Sequence, residues 1–445
     1  MMQKNIKNLV YRIFLLILIV GMHTEYQFGS FGFFGSNMQY SSVEFIIGFA
    51  TLFLCGYILY KRIPPKELFK EKLLSFILLS FCLSLLLSTV FATYKVEAVK
   101  YDIRIMSNIA LFYLLLQFLF KEKLTQIFLV VLNIVGIIIT ILGVVEFLRI
   151  GWIKEFLIQN QLGVGSRAGS ATSVFIHNNV FGNYFVLLLF VTLGQLKNVK
   201  GRAYKVLLWF CLGLFVVNVV FSLSRSAWMA FICAAGLCIW LKRKDKTFFT
   251  RAMILASVFT VVLIAMPAAK QRIVNTVATA KKGKIDQASG RRLILERAAI
   301  AIFQRYPLVG IGLNNFKNRY HEFVDMPPND KLNAHNQYLS VLAEQGIIGF
   351  CIFMVFVAYL IRLAISNIKK GGNEFYALAI FAYLIGEMFD YLWYDYSFIF
   401  MFWFVVILNL IEKRDLELKE FRDSGIEELG PRLNKKEKAF NGVKI

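Results

Sequence analysis

Residues 332–361 have the sequence LNAHNQYLSVLAEQGIIGFCIFMVFVAYLI, a short polar segment followed by a long apolar run. Crossing the hydrocarbon core of a bilayer takes about 20 consecutive, mainly apolar residues in a helix. The run over 337–361 meets that length. Polar and ionisable groups are costly at a membrane border and often have a function there, which draws attention to His335, Asn336 and Glu344.

The same apolar pattern recurs along the whole chain. Of its 445 residues 58% are hydrophobic and the mean hydropathy is +0.61, whereas soluble domains average about 45–50% apolar residues. The sequence therefore predicts an all-α polytopic membrane protein with about 12 transmembrane helices. The predicted spans are 8–24, 42–60, 73–93, 103–120, 125–148, 178–196, 203–221, 225–242, 249–267, 337–361, 374–391 and 393–411.

The net charge of +22 is divided between alternate loops and is not gathered in a patch suited to nucleic acid. With a cytoplasmic N-terminus, the basic clusters fall in inner loops. The short outer loops 25–41, 222–225 and 392–395 contain no lysine or arginine except Arg225. This asymmetry is the positive-inside pattern. It predicts that both termini are cytoplasmic, that membrane lipids surround the protein and that nucleic acid is not a partner.

The connections divide the chain into four parts. Residues 1–267 hold transmembrane helices 1–9, 268–335 an extracytoplasmic loop, 336–411 transmembrane helices 10–12, and 412–445 a cytoplasmic tail. Loops as long as 268–335 are usually functional. The spacing of apolar residues over 292–306 predicts an amphipathic helix within this loop.

A metal site is not expected. All six cysteines fall within predicted spans, at spacings that suit neither metal ligation nor a disulfide. The predicted outer loops also lack an Asp-x-Asp cluster. We therefore expect neither a metal nor another cofactor.

Three arginines on the outer side are candidate anion ligands. Arg225 lies in the tight hairpin FSLSRSAW (221–228), on the face where positive-inside anchoring does not explain it. A guanidinium presents a planar fork of donors suited to phosphate or carboxylate, and a helix with free N–H groups begins at this point. Arg291 and Arg292 open the loop helix in the same way. The alternatives are an interfacial arginine contacting lipid head groups and a solvated charged face.

Two His-Asn pairs, at 177–178 and 335–336, mark the outer borders of spans. A lone histidine at a helix border is more often a hydrogen-bonded structural residue. The arginines on the same face favour a function, and His335 is the candidate general base because an imidazole accepts protons near neutral pH. The residues expected to support it or to bind substrate are Arg291, His177, Asn179, Asn336 and Glu344.

Three motifs follow one another: SRSAW (224–228), SGRR leading into PLVGIG (289–312), and AHNQYL leading into EQGIIG (334–349). Together they resemble the O-antigen ligase/polymerase family of bacterial membrane glycosyltransferases, over roughly residues 165–360. The upstream half matches only in hydropathy. Asn178 stands where the family usually has proline, and Glu296 where many relatives have tryptophan.

The resemblance implies a GT-C-like enzyme of the bacterial cytoplasmic membrane. Such an enzyme takes a glycan from an undecaprenyl-diphosphate carrier on the outer leaflet and passes it to an acceptor glycan or lipid. Arg225 and Arg292 match the family's diphosphate-binding arginines, and His335 matches its catalytic histidine. The implied reaction is a metal-independent, inverting displacement, with proteins of polysaccharide assembly as further partners.

Three functions remain open from the sequence. The first is the ligase, and the second is a polymerase that joins repeat units of a capsule or exopolysaccharide at the same site. The third is a polysaccharide or lipid transporter, which the missing internal repeat disfavours. Glu387 and Asp390, near the outer border of the last two spans, are expected to bind an arginine or the acceptor and not a transported ion.

Overall fold

The computed structural model describes residues 2–23, 27–33, 36–148, 170–175, 177–243, 287–326, 332–393 and 395–423, with scattered positions between 254 and 274. The helices are α1 Met2–Met22, α2 Ser42–Tyr60, α3 Pro65–Leu68, α4 Lys72–Val90, α5 Lys95–Glu122, α6 Thr125–Phe147, α7 Asn178–Asn198, α8 Arg202–Phe221, α9 Arg225–Leu241, α10 Gln287–Arg305, α11 Phe316–Arg319, α12 Gln337–Lys369, α13 Glu374–Met388 and α14 Tyr396–Asp423.

Two further elements interrupt this helical order. Strands β1 (Gln27–Phe33) and β2 (Ser36–Ser41) form an antiparallel hairpin between α1 and α2. A 3-10 turn, Tyr320–Glu322, follows α11. The hairpin lies within the segment 25–41, which was predicted as a loop, and the predicted helical architecture is confirmed.

Eight helices in the described part of the chain are long and apolar enough to cross a membrane, namely α2, α4, α5, α6, α7, α8, α12 and α14. The prediction of a helical membrane protein is confirmed, whereas the predicted count of twelve is not established. α9 has 17 residues and α13 has 15. An α-helix rises 1.5 Å per residue, so 15 residues cover only about 22 Å of a core about 30 Å thick. The predicted ninth span, 249–267, falls largely outside the described residues.

Buried polar side chains pair within the bundle. Asn133 on α6 donates to Gln195 Oε1 on α7 (2.6 Å) and accepts from Thr192 (2.8 Å). Asn218 on α8 donates to Thr140 on α6 (2.7 Å). An unsatisfied polar group in hydrocarbon is costly, so hydrogen bonds of this kind hold membrane helices together.

Ion pairs join helix ends at one end of the bundle. Lys197, at the end of α7, pairs with Glu374 at the start of α13 (2.6 Å). Lys413 on α14 pairs with Glu71 just before α4 (2.7 Å). The start of α7 and the end of α13 therefore lie together at the opposite end, and the candidate site is built there.

The outer-loop segment 307–312 is inserted into a break in α12. Gly346 has φ 62° and ψ −165° and interrupts that helix. The backbone N–H and C=O groups next to the break form hydrogen bonds with the inserted segment in place of hydrogen bonds within the helix. The hydrogen bonds are Ile347 N to Pro307 O (2.8 Å), Ile348 N to Leu308 O (3.3 Å), Ile311 N to Ala343 O (3.2 Å) and Gly312 N to Glu344 O (2.8 Å).

The amphipathic helix α10 packs beside this inserted segment. Its buried residues share a cluster with the segment that follows it and with α12; the cluster contains Leu295, Ala298, Ala299, Ile302, Ile311, Phe316, Tyr320 and Ala343. A second contact fixes the loop to α5, because Tyr94 N, the residue before that helix, donates to Asn315 Oδ1 (2.8 Å). α10 is thereby held at a defined position over the start of α12.

Candidate active site

The carboxylate of Asp390, just after α13, joins four segments of the chain. Its Oδ1 accepts from His335 Nδ1 and from Tyr391 N, both at 2.9 Å. Its Oδ2 accepts from Arg292 Nη2 at 3.4 Å and from the side-chain amide of Asn179. A carboxylate offers about four lone-pair positions. Asp390 is therefore saturated.

The charges around Asp390 keep it ionised. Burial raises the pKa of this carboxyl group, but the attraction of His335 and Arg292 and their hydrogen bonds outweigh it, so the pKa lies below its ordinary value. The exposed fraction of the side chain is 4% for Asp390, 26% for His335 and 24% for Arg292. A substrate therefore meets the imidazole and the guanidinium first, with the carboxylate behind them.

His335 is held in an unusual backbone conformation. Its φ is +52°, in the left-handed region that residues other than glycine rarely adopt. The next residue, Asn336, caps α12 by accepting from Leu339 N (3.1 Å). Because the Asp390 carboxylate can only accept, Nδ1 of His335 carries a proton and Nε2 is the basic nitrogen of the neutral ring. Outliers of this kind concentrate at functional sites.

Arg292 is oriented from two sides. Its Nη1 donates to Phe389 O (2.9 Å) and its Nη2 to Asp390 (3.4 Å). A guanidinium has five N–H donors. Two of them bind Phe389 and Asp390 and orient the side chain, and no other described residue accepts a hydrogen bond from the remaining three.

Arg225 begins α9, and hydrogen bonds connect this helix start to the Asp390 cluster. Ser226, the next residue, accepts from Asn183 Nδ2 (3.2 Å), and the same amide group donates to Asn179 O (2.9 Å). The Asn179 side chain in turn donates to Asp390. The first turns of α7 and α9 are thus positioned against the end of α13.

The predicted diphosphate ligands and general base fall within one segment that is similar to a known family. Residues 210–354 match the family model described as O-Antigen ligase. Over these residues the chain is similar to O-antigen ligases. The match supports a membrane glycosyltransferase of the O-antigen ligase or polymerase type. No curated protein matches the chain.

The matched segment contains Arg225, Arg292 and His335, whereas Asn179 and Asp390 lie outside the matched residues. The site is therefore completed by α7 and by the α13–α14 turn. Asn178, which stands where the family usually has proline, donates its side-chain amide to Ser222 O (2.8 Å). A proline could not make this bond between α7 and the hairpin that precedes Arg225.

Two other predicted site residues, His177 and Arg291, lie next to residues of this cluster in the chain, whereas a third, Glu344, does not contact it. His177 is the N-cap of α7, two residues before Asn179. Arg291 lies beside Arg292 with an exposed side chain. Glu344 points elsewhere: it is 3% exposed and accepts from Phe316 N (3.0 Å), which anchors the outer loop to α12.

Two acidic residues of the site were not among the predicted site residues. Asp390 was expected only to bind an arginine or the acceptor, and the structure pairs it with Arg292. Glu296, one turn after Arg292 on α10, interacts with Asn336, Arg292 and His335. Burial raises the pKa of Glu296 above its ordinary value, although those three neighbours lower it. The residue had been noticed only as a departure from the family pattern.

In the described part of the chain, no group of three or more His, Cys, Asp and Glu side chains is arranged to hold a metal ion. The cations available to an anionic substrate here are arginines. Metal independence itself remains a prediction.

Proposed function

We propose that the protein transfers a glycan from an undecaprenyl-diphosphate carrier to a sugar hydroxyl of an acceptor, at the outer face of the bacterial cytoplasmic membrane. Both termini are then cytoplasmic. The observation that carries the proposal is the Asp390 carboxylate, which orients His335 and Arg292 together at one end of the bundle. A base and an anion ligand held side by side suit a displacement in which a hydroxyl attacks and a diphosphate leaves.

In the proposed reaction His335 is the general base. Its Nε2 takes the proton of the acceptor hydroxyl as that oxygen attacks the anomeric carbon of the donor. The bond between the anomeric carbon and the diphosphate oxygen breaks, and the lipid diphosphate leaves with the electron pair. A single displacement of this kind inverts the anomeric configuration.

Arg292 and Arg225 are proposed to bind the diphosphate. Cations fixed before the reaction stabilise the charge that develops on the leaving group without reorganisation. Arg292 suits this role because Phe389 and Asp390 hold it in place while leaving donors for phosphate oxygens. No metal ion is required if the two guanidinium groups supply the positive charge.

The helix α10 is proposed to cover the site. It supplies Arg292 and packs against the start of α12, close to His335. A cover would exclude water, which otherwise hydrolyses the donor. Deleting the helix should then raise hydrolysis relative to transfer.

The same geometry serves a polymerase of capsule or exopolysaccharide assembly, in which the acceptor is a second carrier-linked repeat unit. The two functions differ in the acceptor and not in the chemistry of the site. The mass of the product separates them, because a polymerase lengthens carrier-linked chains and a ligase moves a chain as a block.

The test is transfer by the full-length protein in liposomes, supplied with undecaprenyl-diphosphate glycan from producing cells and with candidate acceptors. We expect transfer in the presence of EDTA, loss of transfer in His335→Ala and retention in the matched control His321→Ala. Equal rates for wild type and His335→Ala would remove the base assignment. Absence of transfer by the wild type to any acceptor would overturn the proposed function.

A further inference from the structure

Glu296 lies on the same face of α10 as Arg292, because residues four apart are neighbours on a helix. Its side chain is partly exposed, and it interacts with the Asn336 amide, Arg292 and His335. It therefore adds a second carboxylate, carried on α10, to the site. The reaction proposed above gives it no task.

Glu296 and Asp390 differ in what they can still bind. The oxygens of Asp390 accept four hydrogen bonds from protein groups and are buried. Among the described residues Glu296 accepts a hydrogen bond from Asn336, whose own Oδ1 is already used to cap α12 through Leu339 N. A carboxylate has about four lone-pair positions. Glu296 therefore keeps capacity to accept hydrogen bonds from a substrate.

We propose that Glu296 binds the acceptor sugar by accepting a hydrogen bond from a hydroxyl neighbouring the one that reacts, and that the acceptor is not acidic at this end. The inference rests on the proposed function and names the substrate class of the same site. Glu296 is a positioning residue here: it holds the sugar while His335 removes the proton.

The charges around the imidazole support a non-acidic acceptor. Asp390 and Glu296 bring two carboxylates to His335, and Arg292 is the cation that interacts with both. A uronate or phosphate on the acceptor would face these carboxylates, and like charges in a poorly solvated site repel strongly. The guanidinium groups instead favour the diphosphate of the donor. The guanidinium groups thus favour the anionic donor, and the carboxylates disfavour an anionic acceptor.

The substitution Glu296→Gln separates this role from a structural one. Glutamine has nearly the same shape, and its carbonyl oxygen can still accept from Asn336, so the cap of α12 is preserved. It loses the negative charge and the stronger hydrogen bonds that an ionised group accepts. Arg297→Gln, on the exposed face of the same helix, is the matched control.

The experiment measures transfer by the full-length protein in nanodiscs to pairs of phenyl glycosides, each neutral sugar beside its uronate. For Glu296→Gln we expect the acceptor KM to rise by about tenfold or more, with an unchanged or lower donor KM. The rate with uronates relative to neutral sugars should also rise. Arg297→Gln should match the wild type in acceptor KM, in donor KM and in the rate with uronates relative to neutral sugars.

An unchanged acceptor KM and an unchanged preference between neutral and acidic sugars would overturn the role of Glu296. Equal increases in both KM values would also overturn it, since a distorted site weakens both substrates. In either case a wild type that transfers glycan leaves the proposed function standing. A wild type that transfers to no acceptor removes both proposals.

Discussion

In the proposed reaction Asp390 acts on the substrate only through other residues. Its four hydrogen bonds fix the imidazole of His335, the guanidinium of Arg292 and the amide of Asn179 relative to one another. Partners of this kind set the tautomer and direction of a histidine. The geometry of the candidate site therefore depends on a side chain that is 4% exposed.

Asp390→Asn tests this dependence. Asparagine keeps the size of the side chain but removes the charge that attracts His335 and Arg292. We expect the rate of glycan transfer to fall by about 10–100-fold, as for other residues that orient a reacting group. Asp325→Asn, an exposed change in the outer loop, is the control and should leave the rate unchanged. A rate within twofold of wild type for Asp390→Asn would contradict the orienting role.

The lowered pKa of Asp390 also predicts how stability depends on pH. Its folded-state pKa lies below the ordinary value of 3.8 because His335 and Arg292 outweigh the effect of burial. The contribution to stability is therefore present above about pH 4 and is lost as pH falls through the lowered folded-state pKa. The protection factors of the α10 amides against hydrogen exchange, which correct for the pH dependence of the intrinsic exchange rate, should fall more between pH 6 and pH 3 in wild type than in Asp390→Asn. An equal fall in both proteins would exclude this linkage.

At the scale of residues, the sequence predicted the types of group better than their partners. His335 and Arg292 could be chosen because an imidazole and an arginine on the outer side suggested chemistry. The carboxylate that joins them is 55 positions from His335 and 98 from Arg292. Hydropathy and helical spacing give no register between such distant segments, so the Asp390 pairing needed the fold.

At the scale of elements, the break in α12 holds the segment that follows α10, the helix that carries Arg292. The conformation of Gly346 belongs to a region open essentially to glycine. A Cβ added there would lie 2.4 Å from the carbonyl carbon of Leu308. The inserted segment 307–312 can therefore pack against α12 only because Gly346 has no side chain. The sequence predicted one uninterrupted span over 337–361, because an isolated glycine in an apolar run does not reveal which segment packs against it.

Gly346→Ala should destabilise the protein and reduce transfer. Backbone strain at such a position costs about 1–3 kcal/mol, and the clash with Leu308 adds to it. Thermal unfolding of the purified protein in detergent measures the loss. Gly213→Ala on α8 is the matched control, because nothing lies within 4 Å of its added Cβ. A melting temperature equal to that of the control would show that the inserted segment does not need this glycine.

At the scale of the whole molecule, hydropathy predicted the order of the helices well, since it needs only local composition. The predicted number of membrane spans stays a prediction, because eight helices of the described residues are long and apolar enough to cross a membrane and α9 and α13 have apolar sequence but are short. Neither hydropathy nor helical spacing could predict that positions 179, 225, 292, 335 and 390 lie at the same end of the bundle. Their meeting follows from helix packing among α7, α9, α12 and α13 and from the docked outer loop.

The arrangement of charge predicts which end faces outwards. Single cysteines that replace Arg297 and Asp325 would mark the end of the bundle that holds the candidate site. Single cysteines that replace Lys200 and Lys419 would mark the opposite end, where lysines pair with Glu374 and Glu71. Alanine would first replace the exposed Cys55, Cys233 and Cys351. Because basic loops stay in the cytoplasm, a membrane-impermeant maleimide should label the first pair in intact cells and the second pair only after permeabilisation. Labelling of Lys200→Cys and Arg297→Cys from the same side would be incompatible with a site that receives a lipid-linked donor on the outer leaflet.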